Sequence, residues 1–183
     1  LLEKGKEQMK LPLAYYGDPI LRKKAARIEA IDDDIRQLVN DMLETMEANN
    51  GAGLAAPQVH RSIALFLANI DIPGPDGKWL PGRLRVCLNP KVLSVSEEEW
   101  EWSDGCLSIP NLWRKITRPI RAEVEYTNLQ GERVQETLQG PEAWCFMHEN
   151  DHLNGVLWID RLKGKARTEI EPILRAIKKK YHS

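Results

Sequence analysis

The chain has 183 residues, 29% of them charged and 42% hydrophobic, with a formal net charge of −1, a balance that suits one globular domain with a continuous core. Its longest apolar run, Ile63 to Ala68, is far too short to cross a bilayer, and three cysteines without regular spacing do not make a disulfide framework, which argues against a membrane protein and a disulfide-stapled secreted module. The charge is uneven: residues 161–183 hold eight Lys and Arg against two Glu, about +6, which leaves about −7 on the rest and suggests a partner of its own for the tail.

Leu1 to Lys10 is mostly polar and lacks the layout of a secretion signal. One domain is expected over 9–183, starting at Met9, with residues 1–8 an appended stretch or the remnant of a longer precursor. Ile35, Leu38, Val39, Met42, Leu43 and Met46 recur at helical spacing between an Asp-rich start and Asn50-Gly51, which predicts an amphipathic helix over 32–48. A Gly-rich loop follows from Gly51 to Gln58, then a strand over 62–68, an exposed loop over 70–83, and a strand from Arg85 to Leu93 that is interrupted or ends near Pro90. Residues 121–127 and 132–138 form a hairpin around Asn128-Leu129-Gln130-Gly131. A helix begins at Gly140-Pro141 and ends at Asn154-Gly155. Another spans 168–180, with Thr168 and Glu171 as a capping box. The pattern predicts an α+β fold, with short antiparallel or mixed sheets packed around the helix over 141–154 and a helix at the C-terminus.

That central helix carries His148-Glu149-Asn150-Asp151-His152. Two imidazoles at i and i+4 stand one turn apart on one face and can share a metal ion, and Glu149 beside them can take a proton from water. Histidines that only hydrogen-bond would be the bland alternative, but a third ligand makes it weaker. A catalytic ion of this kind wants three protein ligands and an open position. The third is not a histidine at 158, which is Trp158; Glu169 and Glu171 are explained by helix capping; Cys145 is too far along the helix to share the ion; and Cys87 sits in an apolar run. Cys106 follows Gly105, which lets backbone approach another group closely, and it supplies a plausible third ligand. A thiolate with two imidazoles suits iron or zinc, and spacing does not choose between them.

Three segments in this order, Gly51-Ala52-Gly53-Leu54-Ala55-Ala56-Pro57-Gln58, Asp104-Gly105-Cys106-Leu107-Ser108 and His148 to His152, resemble the peptide deformylase family, as does Gly17 to Arg22 near the start. The resemblance runs from about Met9 over nearly the whole chain. It implies a metal-dependent hydrolase that removes the formyl group from formyl-methionyl nascent polypeptides and releases formate. Cys106, His148 and His152 would hold one divalent ion, iron in the cell, with zinc, nickel or cobalt fitting purified protein. Glu149 would move protons, while the Gln58 amide and the Leu107 N–H would stabilise the charge on the formyl oxygen. A peptide substrate would pair with backbone near Gly53 and Gly105, and Arg118 matches a family arginine near the substrate's next side chain, a surface ion pair being its blander role. A phosphate loop at 51–58 is rejected because its Lys-Ser/Thr ending is missing.

Departures from the family pattern are specific. Asp104 shortens a carboxylate by one methylene, so any partner must shift or a water must bridge the gap. His60 replaces a usual glycine, which is costly if φ is positive there. Trp102 and Trp144 stand where aliphatic pocket residues are expected and Ala52 is smaller than usual, so with Cys145 they would line an apolar pocket of altered shape, unless the indoles simply pack in the core. The basic helix would contact the ribosome, as in bacterial members of the family, or merely complement its own dipole. A bacterial cytoplasm is the expected location, with an organelle as the alternative, and neither membrane nor DNA is an expected partner. The competing activities are an HExxH metallopeptidase with a glutamate ligand from the tail, and a deacylase acting on another small N-acyl group; a metal-stabilised binding module would need neither Glu149 nor Gln58.

Overall fold

The computed structural model describes residues 9–182; residues 1–8, expected to be a remnant, lie outside them. The first long helix, α1 (Asp33–Ala48), starts where Asp32 accepts the Ile35 N–H at 2.9 Å, with Asp33 and Asp34 at the positive end of the helix dipole. It buries the predicted stripe of Ile35, Leu38, Val39, Met42 and Met46. Two strands follow, β1 (Gly53–Ala55) and β2 (Leu65–Ala68), separated by a 3-10 turn over Ala56–Val59. The segment read as an exposed loop carries a small hairpin, β3 (Ile72–Pro73) and β4 (Trp79–Leu80).

Beyond it β5 (Arg85–Val95) runs straight through Pro90. The ladder absorbs the missing N–H with register shifts between Leu88 and Lys91 and between Val92 and Ser94, and Asn89 adopts φ 50° at the first of them. The long hairpin of β6 (Glu99–Cys106) and β7 (Ile109–Pro119) was not anticipated as strands. β8 (Arg121–Thr127) and β9 (Arg133–Gln139) form the expected hairpin. One antiparallel sheet runs in the order β1-β2-β5-β8-β9, which leaves β1 at an edge.

The next helix, α2 (Pro141–Leu153), has ten of its 13 residues buried, the mark of a helix enclosed on all sides. Trp144 joins a cluster with Ile109, Leu112, Ile116 and Trp158, while Phe146 and Met147 join one with Phe66, Cys87, Val124 and Leu138. A third cluster lies between α1 and the β1–β2 pair. The predicted C-terminal helix is broken into α3 (Gly164–Glu169) and α4 (Glu171–Tyr181). Thr168 does not cap: its hydroxyl donates to the Gly164 carbonyl inside α3, and α4 starts with Pro172 in its first turn. Leu174 and Ile177 bury into the first cluster, leaving Lys178, Lys179 and Lys180 exposed. Among the described residues no helix is long and apolar enough to cross a membrane.

Candidate active site

The i, i+4 spacing on α2 brings the rings of His148 and His152 to 5.1 Å, and the β6–β7 hairpin delivers Cys106 to them. One ligand atom from each of Cys106, His148 and His152 lies within 4.8 Å of the others. Cys106 Sγ is 3.3 Å from His152 Nε2, a gap that bonds of about 2.0–2.3 Å to a common ion can bridge. His148 Nδ1 lies 2.8 Å from Asp104 Oδ1, which orients the ring and frees its other nitrogen for the cluster. The donor set therefore fits one divalent ion of the kind that takes thiolate and imidazole. Glu169 pairs instead with Lys165 within α3, and Glu171 with Arg167 across the break between α3 and α4. Cys145 donates its thiol to the Ala52 carbonyl at 3.4 Å, and Cys87 is fully buried in the core.

Asp104 needs no bridging water. One oxygen receives His148, and the other receives Arg118 Nη2 at 3.1 Å. Arg118 is 1% exposed and also donates to Asp151 at 2.8 Å, while Asp151 receives Arg161 from beyond α2. The sequence reading put Arg118 near a substrate side chain or in a surface pair. It is instead buried behind the ligands, off the cavity wall, bracing the hairpin against α2. Burial works against the Asp104 carboxylate, but the charges and hydrogen bonds of His148 and Arg118 prevail and hold it at about 2. Asp151 lies between the two histidines of the HExxH stretch, and a single sequence carries no signal that it meets Arg118.

Glu149 is 4% exposed, and one of its oxygens is buried with no hydrogen-bond partner among the described residues. Burial pushes its carboxyl up to about 7, against the pull of nearby positive charge at His148. Gly53 explains how a carboxylate fits there: a Cβ on it would stand 2.3 Å from Glu149 Oε1. Gly105 is likewise covered by the Trp113 indole, which a Cβ would meet at 2.3 Å. The Gln58 side chain is pinned by its oxygen, which accepts the Ala55 N–H at 2.8 Å, so that Nε2 points at Cys106 Sγ (3.3 Å) and at Ser108 Oγ (3.2 Å).

These groups open onto one cavity of about 620 Å³. Ala52, Gly53, Gln58, Trp102, Gly105, Cys106, Leu107, Trp144, Cys145, His148 and Glu149 all line it. Tyr15, Asn111 and Trp113 line it too and were not foreseen; the exposed aromatic of Trp113 next to the Cys106 motif was the signal available. A cavity with a deep ion-binding cluster, a buried carboxylate and an amide donor is equipped for hydrolysis of a carbonyl compound.

The family described as Polypeptide deformylase matches residues 10–168. Among curated relatives, the peptide deformylase of Acinetobacter baumannii (strain SDF) is 40% identical over 169 residues, covering 90% of this chain and 92% of that protein. The Fusobacterium nucleatum peptide deformylase is 38% identical, with 90% of each covered. Among solved structures, the peptide deformylase of Ehrlichia chaffeensis in complex with actinonin superposes with TM-score 0.84 at 34% identity, covering 96% of this chain and 100% of that one. Arabidopsis thaliana peptide deformylase 1B superposes with TM-score 0.84 at 35% identity, covering 93% and 92%.

Proposed function

This chain belongs to the polypeptide deformylase family and is thus a metal-dependent hydrolase removing the N-formyl group of nascent peptides, and we propose that Cys106, His148 and His152 hold its ion while Glu149 carries the proton. The observation behind this is the convergence of one thiol and two imidazoles within 4.8 Å, next to a buried carboxylate with one oxygen left without a partner among the described residues. When bound, a divalent ion supplies Lewis acidity and an acidified water. Glu149 takes the proton of the attacking water and returns it to the amine nitrogen as the formyl C–N bond breaks; a group that both accepts and donates works best near the operating pH. Gln58 Nε2 and the Leu107 N–H donate to the formyl oxygen as negative charge builds on it. Asp104 holds His148 in one tautomer, and Arg118 holds Asp104. The substrate backbone pairs along the free edge of β1 at Gly53 and beside Gly105, two positions where the missing side chains make room for Glu149 and Trp113.

Ferrous iron is the ion we assign in the cell, zinc, nickel or cobalt being able to replace it in purified protein. The test is formate release from a formyl-Met peptide by metal-loaded protein, with metal content measured after anaerobic purification. Glu149→Ala should keep the metal and lose about two to four orders of magnitude in kcat. Cys106→Ala should lose both metal and activity. Wild-type turnover by Glu149→Ala would reject the assignment of Glu149.

We further infer that the site of action is the bacterial cytoplasm, in keeping with three free cysteines, and that α4 contacts the ribosome. Lys178, Lys179 and Lys180 stand exposed on a helix whose other face is anchored by Leu174 and Ile177, a layout suited to RNA phosphates. Replacing the three lysines by Glu should abolish salt-sensitive co-sedimentation with ribosomes without changing activity on short peptides. Unaltered co-sedimentation rejects the contact.

A further inference from the structure

We propose that the indoles of Trp102 and Trp144 recognise the sulfur of the substrate's first side chain, so that this enzyme distinguishes methionine from norleucine, its isostere. The proposal rests on the deformylase reading of the same cavity. Trp144 lies one turn before His148 on α2, and Cys145 one turn before Glu149. Both are nearly buried, at 3% and 5% exposure, and both line the cavity together with Trp102 and Ala52. A formyl carbon positioned by Cys106, His148 and Glu149 therefore leaves the adjoining side chain to enter the part of the cavity walled by the two indoles.

Those indoles are held in place. Trp144 meets the rings of Trp100 and Trp102 nearly edge-on, at 5.6 Å and 84° and at 5.7 Å and 75°. Arg118 Cζ lies 5.4 Å from the Trp144 ring centre, and the same guanidinium is fixed by Asp104 and Asp151. Trp102 stacks in parallel with Trp79 of β4, at 6.4 Å. Neither ring can swing aside without breaking this cluster, so the indoles give a fixed aromatic wall to the cavity that Ala52 also lines.

Chemistry then separates two side chains of almost equal length. Norleucine places a methylene where methionine has sulfur. A wall of aliphatic groups rewards only buried area, and on that measure norleucine is at no disadvantage. Aromatic rings add an attraction for polarizable sulfur, which at about 5 Å corresponds to roughly a two- to tenfold preference.

The experiment compares metal-loaded protein on formyl-Met-Ala-Ser and on the same peptide with norleucine first, followed by formate release. The kcat/KM ratio should favour methionine by about two- to tenfold and fall to about one in Trp102→Leu and Trp144→Leu. Because Trp144→Leu also unseats Arg118, the partly exposed Trp102 carries the test if that variant fails to fold. Quenching of tryptophan fluorescence by the deformylated peptides gives the same comparison without turnover, the methionine peptide binding more tightly. A wild-type ratio of about one, or a ratio that survives in every folded Trp variant, overturns the proposal. Release of formate from neither peptide rejects the deformylase reading itself, and the proposal with it.

Discussion

His60 holds φ 60° and ψ 26° at the end of the 3-10 turn that carries Gln58. Side chains with a Cβ occupy this left-handed region at a cost of roughly 1–2 kcal/mol. The imidazole offsets part of it, since Nδ1 lies 3.5 Å from Asp18 Oδ2. His60→Gly relieves the strain but loses that contact, whereas His60→Ala keeps the strain and loses the contact as well. Glycine should therefore give the more stable variant of the two by about 1 kcal/mol in denaturant unfolding; an alanine variant as stable as the glycine one would show that the turn is unstrained. The cost was legible in the sequence because one residue and one local turn decide it. The ligand trio was legible for a related reason: helical spacing fixes His148 against His152 without reference to the rest of the fold. Arg118 was not. Its position follows from Asp104 and Asp151 lying on two separate elements, and nothing local announces that they meet around it.

At the scale of elements, the network around Arg85 joins four of them. Arg85 on β5, 8% exposed, donates to Glu136 on β9 at 2.8 Å and to Glu142 at the start of α2 at 2.6 Å, while Tyr126 on β8 donates to the same Glu136 at 2.9 Å. Burial acts to raise the Glu136 carboxyl, but hydrogen bonds from Arg85 and Tyr126 and the charges of Arg85 and Arg83 bring it below its ordinary value of 4.5. A depressed carboxylate stabilises the fold above its unfolded pKa, and that contribution is lost as pH falls through the folded value. Glu136→Gln keeps the shape and removes the charge, so it should cost about 1–3 kcal/mol at neutral pH, Glu142 still neutralising part of Arg85. Below about pH 4.5 the difference between wild type and variant should narrow. Thermal unfolding of both proteins from pH 7 to 3 measures it, and a gap that stays constant to pH 3 contradicts the assignment of Glu136 as the responsible group. The β6–β7 hairpin was the element most open to recovery from sequence. Trp100, Trp102 and Asp104 alternate with Glu99, Glu101 and Ser103, a period of two that marks a strand. The break between α3 and α4 was less visible, because Pro172 is as welcome in the first turn of a new helix as it is unwelcome within an old one.

For the molecule as a whole, the β6–β7 hairpin stands outside the five-stranded sheet. Its turn reaches α2 through the Cys106, His148 and His152 cluster, and its strands reach α2 through the buried Asp104–Arg118–Asp151 ion pairs and the Ile109, Leu112, Ile116 and Trp144 core. An ion shared by the cluster therefore fastens two bodies that side-chain packing already aligns. A ligand that binds only the folded state stabilises it by about 2.7 kcal/mol when present at a hundred times its dissociation constant. In a domain of this size that corresponds to a rise in Tm of roughly 5–11 °C. Removing the metal with a chelator should lower Tm by about that amount and restoring it should reverse the change, with the fold otherwise kept, since the ion pairs and apolar contacts remain. Hydrogen exchange should localise the loss, with faster exchange at residues 103–108 and 145–152 and little change in β8 and β9, whose amides are held by their own seven-residue ladder and not by the ligands. Cys106→Ser should sit at the chelated Tm and respond weakly to added metal. Complete unfolding on chelation would mean that the ion holds the core rather than pinning a hairpin to it, and an unchanged Tm with full metal release would mean that the ligands are positioned by the protein alone.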